Sequence, residues 1–106
     1  MEKVRNFTPH EIVIIGENGK AARYPSEGVA RVQVENRDVG AFAGVQLVRS
    51  EFGEVEGLPP VKSHTLIIVS RIVRDACPDR GDLVVPTDFV RDKEGRIVGA
   101  QALEVR

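Results

Sequence analysis

Apolar residues in this sequence occur in short runs of strand length rather than with helical periodicity. Residues 29–35 alternate apolar and polar positions, which is typical of a strand with one buried face. Ile12–Ile15 and residues 66–69 are uninterrupted apolar runs, and runs this short favour strands that are buried on both faces. A strand over residues 65–69 is therefore predicted at the centre of a sheet.

Turn-forming residues separate these segments and set the other boundaries. Asn18-Gly19 and Asp92-Lys93-Glu94-Gly95 predict two hairpin turns, and Asn36-Arg37-Asp38 predicts a third turn. The acidic segment 53–60, which contains Gly and Pro, is predicted to be a loop. The remaining predicted strands cover residues 4–7, 20–24, 45–51, 83–85 (ended by Pro86), 89–91 and 96–100.

One short helix is predicted after the central strand. Ser70 is a favourable N-cap residue, and Pro78 ends the helix. The apolar positions between them, at residues 72, 73, 76 and 77, share one helical face. We therefore predict a single α+β domain over residues 1–106, with a mostly antiparallel β-sheet and one short α-helix packed on a face.

Composition and charge narrow the class of protein. The chain has 15 Lys and Arg residues against 16 Asp and Glu residues, and its net charge is −1. This balance argues against a protein that coats a nucleic-acid polymer. Neither a signal peptide nor an apolar run of membrane-spanning length is evident, and the single Cys77 suits a reducing cytoplasm. We expect no membrane partner.

No catalytic or metal-binding motif stands out. The only two histidines, His10 and His64, and the only thiol lack metal-ligand spacing, and neither a Gly-x-Ser-x-Gly elbow nor a phosphate-binding glycine loop is present. We predict no catalytic residue, no metal and no cofactor. A small enzyme that acts on a nucleotide, with His10 or His64 as acid or base, stays an alternative.

Arginine outnumbers lysine, and a guanidinium group binds phosphate through a planar fork. Arg71 follows Ser70 in the first helical turn, where a helix attracts anions. It can equally point into solvent or pair with Glu51 or Asp75, and the arginine excess can reflect a GC-rich genome. The arginines predicted to bind ligand lie in or at the ends of predicted elements: Arg31, Arg49, Arg71 and Arg91.

The segment from Asn6 to His10 places an amide, an aromatic ring, a hydroxyl and an imidazole around Pro9. Amide and imidazole groups can hydrogen-bond a base edge, and Phe7 can stack on it. The alternative is an ordinary side-chain-capped turn with Phe7 in the core. Asn6, Thr8, His10 and Ser70 complete the set of predicted ligand-binding residues.

Four segments taken in order, 6–10, 50–59, 68–73 and 79–86, resemble a group of small proteins carried by phages and prophages, often of actinobacterial hosts. In size and layout the chain is also similar to viral anti-defence "sponges", which assemble as oligomers and sequester nucleotide immune signals. The resemblance implies a viral protein in the cytoplasm of a host bacterium. It would bind a small nucleotide ligand, such as a cyclic ADP-ribose isomer or a cyclic oligonucleotide, without cleaving it, and would act in immune evasion.

A homo-oligomer is expected, because a nucleotide-sized pocket is large for so small a monomer. The alternative to ligand binding, besides an enzyme, is a protein–protein interaction module. It would inhibit a host factor through a sheet edge or through the acidic residues 51–56.

Overall fold

A computed structural model describes all 106 residues, and strands make up most of its regular structure. Two of the four-residue strands, β2 and β6, lie in apolar runs, and β3 follows the Asn18-Gly19 turn. In chain order the elements are β1 (Lys3–Asn6), β2 (Ile12–Ile15), β3 (Ala21–Tyr24), β4 (Arg31–Phe42), β5 (Val45–Glu56), β6 (Thr65–Ile68), α1 (Arg71–Ala76), β7 (Leu83–Arg91) and β8 (Ile97–Glu104).

Six of the strands form one sheet in the spatial order β1-β6-β7-β8-β2-β3, and β4 and β5 form a separate hairpin. The pairs β1–β6, β6–β7 and β2–β8 are parallel, whereas β7–β8 and β2–β3 are antiparallel. The sheet curves until its two edges nearly meet, at a parallel bridge between Asn6 and Ser26. The result is a nearly closed, barrel-like sheet.

The predicted α+β class, a mostly antiparallel sheet with one helix packed on a face, is wrong. About 55% of the residues are in strands and only 6% are helical. The helix α1 has six residues and serves as the crossover between the parallel strands β6 and β7. Because only Val73 of its apolar positions is fully buried and Ile72 stays 43% exposed, α1 does not form a layer of its own.

The core lies on both faces of β6 and β7. Ile67 and Leu83 pair with each other and pack against Val73 of α1, together with Phe7 and Ala30. The next pair along the same strands, at residues 68 and 84, is also fully buried and points to the opposite face. The predicted strand at residues 65–69 is confirmed as Thr65–Ile68. It lies inside the sheet between β1 and β7, second from the edge rather than at the centre, and it is fully buried only from Ile67 onward.

The hairpin β4–β5 projects from this core. Its base residues Val32 and Val55 pack against the core cluster, whereas every residue from 33 to 54 is exposed. We call residues 33–54 the arm. The chain reverses at Ala43 and Gly44, whose φ values are 52° and 78°.

The predicted turn at residues 36–38 is therefore wrong, and so is the start of the predicted loop, because β5 continues to Glu56. Both errors arise because an exposed hairpin has no buried face. Its polar residues carry no alternation that would mark the strands. Strand β7 likewise continues beyond Pro86, where the prediction ended it. Past Val84 it has β8 as its only neighbour, and proline is tolerated at such an open edge.

Gly57 gives a test of the junction between the arm and the core. Its φ is +84°, and a Cβ placed there would lie 2.4 Å from the carbonyl oxygen of Val29. Gly95 has nearly the same φ, +83°, but no atom within 4 Å of such a Cβ. We expect Gly95→Ala to lower the free energy of unfolding by about 1–2 kcal/mol through backbone strain alone. Gly57→Ala should cost about 2 kcal/mol more, because the chain must also move to relieve the contact.

Urea unfolding of the two variants against the parent chain measures this difference. Equal losses of stability in the two variants would contradict the close approach of residue 57 to the start of β4.

Candidate functional site

Three of the residues predicted to bind ligand line one cleft beside the start of α1. Thr8 lies in the turn after β1, Arg31 opens β4, and Ser70 precedes α1. We call this the helix-start cleft; its volume is about 270 Å³. Its other walls are apolar and are formed by Phe7, Pro9, Val29, Ala30, Val32, Ile72 and Val73.

Local backbone contacts bring these three segments together. The amide N–H of Ala30 donates to the carbonyl oxygen of Phe7 at 3.0 Å, which places Arg31 beside the turn after β1. On the opposite wall, the Oγ of Ser70 accepts a hydrogen bond from the Val73 amide at 3.4 Å. The prediction of Ser70 as N-cap is confirmed, and its hydroxyl is therefore an acceptor within the helix cap.

Arg31 is the one arginine of the helix-start cleft, and its guanidinium group makes no ion pair. Across the hairpin its backbone partner is Glu56, but the two side chains do not approach within salt-bridge distance. The residue is exposed. Its charge is thus available to an anion at the mouth of a mostly apolar cleft.

Arg71 has a different environment. Its Nη1 lies 3.0 Å from Oε1 of Glu104, and the same carboxylate oxygen lies 2.7 Å from Nη1 of Arg74. Arg74 is only 5% exposed, and it also donates to the Glu104 carbonyl oxygen. Neither partner considered from the sequence, Glu51 or Asp75, holds Arg71. The carboxylate that does so comes from β8, 33 residues further along the chain.

The shared carboxylate has a shifted titration. Hydrogen bonds from Arg74 first, and then from Arg71, lower the pKa of Glu104 below its ordinary value of 4.5. The same contact with Glu104 raises the pKa of Arg74, against the opposing effect of its burial. Arg74 and Glu104 were not predicted from the sequence, because nothing in the local pattern links residues so far apart.

Asn6 and Thr8 make their hydrogen bonds within the protein. Asn6 is fully buried; its Nδ2 donates to the carbonyl oxygens of His10 and Tyr24, at 2.7 and 2.8 Å. Its Oδ1 accepts from both the amide and the hydroxyl of Thr8. His10 takes part through its carbonyl oxygen, and its side chain is exposed. Through these hydrogen bonds, the side chain of Asn6 supports the turn that forms one wall of the helix-start cleft.

The ring of Phe7 is also largely inaccessible to a ligand. Phe7 is 8% exposed and belongs to the core, and the guanidinium carbon of Arg5 lies 5.0 Å from its ring centre. Arg5 is itself paired with Glu27. The Phe7 ring, which the sequence predicts as a stacking surface for a base, thus has the Arg5 guanidinium over one face and packs in the hydrophobic core.

The remaining predicted residues lie elsewhere. Arg49 is on the arm, directly opposite Arg37 in the strand register. Arg91 ends β7 and donates to the carbonyl oxygen of Gly95 in the β7–β8 turn. The structure therefore brings together three of the eight predicted side chains, not the whole set.

A larger cleft of about 660 Å³ opens between β1, β6 and the segment before β7. It contains a two-point ion pair, in which Nε and Nη2 of Arg80 each lie 2.9 Å from a carboxylate oxygen of Asp82. This contact lowers the pKa of Asp82. Lys3 and His64 also line this cleft, but Arg80 is already neutralised by Asp82, and the carboxylates of Glu2 and Asp79 outnumber the one remaining Lys or Arg. The cleft is therefore less suited to an anion than the helix-start cleft.

Removing the amide of Asn6 tests its role as a structural residue. Asn6→Ala removes the partners of the Tyr24 carbonyl oxygen and the Thr8 amide in a part-buried place, and it leaves the His10 carbonyl oxygen with the Thr8 hydroxyl alone. We expect a loss of about 2–4 kcal/mol in the free energy of unfolding. Asn36→Ala, on the exposed arm, removes a single surface contact with Ser50 and should change stability by less than about 0.5 kcal/mol. Similar stabilities of the two variants in urea would contradict the assignment.

The pH dependence of stability tests the carboxylate between the two arginines. Because the folded pKa of Glu104 is lowered, its stabilising contribution is present above the unfolded pKa, near 4.5, and is lost as the pH falls through the folded value. The stability difference between the parent chain and Glu104→Gln should be largest at neutral pH and shrink below about pH 4.5. Glu17→Gln, in a turn without an ion pair, is the control. A difference for Glu104→Gln that is equal at pH 3 and pH 7 would contradict this assignment.

No group of three or more His, Cys, Asp or Glu side chains is arranged to hold a metal ion. The one helix, α1, lacks the length and apolar character needed to cross a membrane. No protein-family model, curated protein or solved structure matches this chain.

Proposed function

We propose that this protein binds a small, nucleotide-derived anion in the helix-start cleft and holds it without cleaving it. The observation that carries the proposal is the unpaired guanidinium of Arg31 at the mouth of a mostly apolar cleft, beside the hydroxyl groups of Thr8 and Ser70. A cation, two hydroxyls and apolar walls are the groups that a phosphorylated nucleoside requires.

Each part of such a ligand has a counterpart in the cleft. The guanidinium fork of Arg31 suits a phosphate or diphosphate group. The hydroxyl of Ser70 can donate to a ribose oxygen, and the oxygen of the Thr8 hydroxyl, whose proton goes to Asn6, can accept from a ribose hydroxyl. Pro9, Val29 and the aliphatic part of Ile72 offer an apolar surface to a base.

The size of the cleft limits how much of the ligand one chain can enclose. Its volume of about 270 Å³ is slightly below the range of about 300–1,000 Å³ that encloses most of a drug-sized ligand. One nucleotide unit would be held, and the rest of a cyclic dinucleotide or an ADP-ribose isomer would extend beyond the cleft. A second copy of the chain is the natural cover for that part, in keeping with a homo-oligomer.

The biological setting follows from the resemblance to phage proteins and to anti-defence sponges. In this proposal the protein is viral and acts in the cytoplasm of an infected bacterium, where it lowers the free concentration of a nucleotide immune signal. Sequestration needs affinity and abundance but no catalytic group, cofactor or nucleic-acid polymer. The net charge of −1 does not prevent binding of a small anionic ligand, because Arg31 is the one charged residue that lines the helix-start cleft.

Calorimetric titration with cyclic ADP-ribose isomers and with cyclic di- and trinucleotides tests the proposal. At least one of these ligands should bind, and Arg31→Ala should weaken its binding by about 10- to 100-fold, the loss expected for one charged hydrogen bond. Arg23→Ala is the matched control, because Arg23 is exposed and pairs with Glu11 outside the helix-start cleft. It should bind as the parent chain does.

The bound ligand should be recovered intact after the protein is denatured, as measured by chromatography and mass spectrometry. Absence of binding across the panel, or equal affinities of Arg31→Ala and the parent chain, would refute the site. Recovery of a cleaved product would instead identify an enzyme.

A further inference from the structure

The molecule exposes far more surface than a compact chain of its mass. Its accessible surface is 7626 Å², whereas a folded monomer of 11.6 kDa exposes about 5,800 Å². Its radius of gyration is 16.7 Å, against about 13 Å for a compact domain of this length. The excess area of about 1,800 Å² is roughly twice what one partner buries in a standard protein–protein interface.

The arm accounts for this shape, and it is apolar where it is farthest from the core. Phe42 and Val45 pair with each other beside the turn and are 74% and 62% exposed. Val39 and Leu47, next to them, are about half exposed. An isolated two-stranded hairpin is only marginally stable in water, so an arm of this length with an apolar tip is typical of a segment that packs against another surface.

A groove on the body of the same chain has the complementary chemistry. It lies where β2 and the β7–β8 hairpin diverge, and we call it the β8 groove. Its apolar walls include Phe89, Ile97 and Val98, each about half exposed, together with Ile12 and Pro86. Its volume is about 160 Å³, close to the size of an apolar protein cavity that accepts a benzene ring.

We propose that Phe42 at the arm tip of one copy inserts into the β8 groove of a second copy. The two surfaces belong to one sequence, match in apolar character, and match in size, since the groove takes one phenyl ring. The excess area of each chain is sufficient for a stable interface between copies. Two reciprocal arm-to-groove contacts give a closed dimer, and sequential contacts give a ring. This assembly does not depend on ligand binding.

Sedimentation equilibrium of the full chain tests the assembly. The parent chain should have a mass that is a multiple of 11.6 kDa. Phe42→Glu should lower the mass to that of a single chain, with an association constant weakened by at least about 30-fold, as for an interface hot spot. Asn36→Glu is the matched control: it adds the same charge to a polar, exposed position of the arm and should keep the parent mass.

Phe89→Glu, in the β8 groove, should also give single chains. Mixing Phe42→Glu with Phe89→Glu then distinguishes arm-to-groove docking from arm-to-arm docking. The first variant keeps an intact groove and the second an intact arm, so the mixture should regain a species of two chains through one contact. Under arm-to-arm docking, Phe89→Glu alone would keep the parent mass, because its arm is intact, and adding Phe42→Glu would give no mixed pair.

Disulfide trapping gives a second measurement that does not require a destabilising charge. In a Cys77→Ser background, Phe42→Cys mixed with Phe89→Cys should form a covalent dimer under mild oxidation, whereas Phe42→Cys mixed with Asn36→Cys should not. A parent chain that sediments as a single chain would overturn the proposal. So would a Phe42→Glu variant that keeps the parent mass, or a mixture that stays monomeric while the parent assembles.

Discussion

Asn6 lies where the two edge strands of the six-stranded sheet, β1 and β3, approach each other. Its side chain makes hydrogen bonds there that regular strand pairing cannot supply. Its backbone is bridged to Ser26 just after β3, its carbonyl oxygen accepts from the Glu27 amide, and its amide group reaches the carbonyl of Tyr24. Burying any of these polar groups without a hydrogen-bond partner would lower the free energy of unfolding. The closure of the sheet and the shape of the turn after β1 therefore depend on one buried amide.

The helix-start cleft follows from this closure. Because Asn6 holds the turn through Thr8 and the carbonyl of His10, the hydroxyl of Thr8 and the ring of Pro9 have fixed places on one wall. The start of β4 is attached to the same turn through Phe7, and α1 begins at the end of strand β6. The backbone of Arg31 is thus held beside this turn while its exposed side chain remains unpaired, and the proposed anion site rests on that unpaired side chain.

Local signals in the sequence predict individual strands and turns, whereas the fold class and the long-range arrangement of the strands were beyond them. The strands at Ile12–Ile15 and Thr65–Ile68, the N-cap at Ser70 and the turn before Gly95 depend on near neighbours, and these predictions are confirmed. Parallel pairing through a six-residue crossover helix depends on how distant segments meet, and the sequence carried no mark of it. The arm was divided wrongly because exposed strands lack a buried face to set their period.

The same distinction holds for the site. Residue types and places in predicted elements point to Thr8, Arg31 and Ser70, and these three residues do share a cleft. The amide of Asn6 suits a ligand equally well by its chemistry, but it is used inside the protein. The position of Arg71 at the helix start suits an anion, but a carboxylate from β8 holds its side chain. Competition of this kind between an internal partner and a ligand is decided by tertiary structure, so the residue types could only nominate candidates.

Mapping the bound ligand by backbone amide chemical shifts is the most direct measurement of the central claim, that the cleft framed by Asn6 is the ligand site. On titration with the nucleotide that binds tightest, the account predicts that the largest shifts lie at Thr8, Arg31 and Val73, with small changes around His64 and Arg80. Shifts centred on His64 and Arg80, with the amides of the helix-start cleft unmoved, would contradict it.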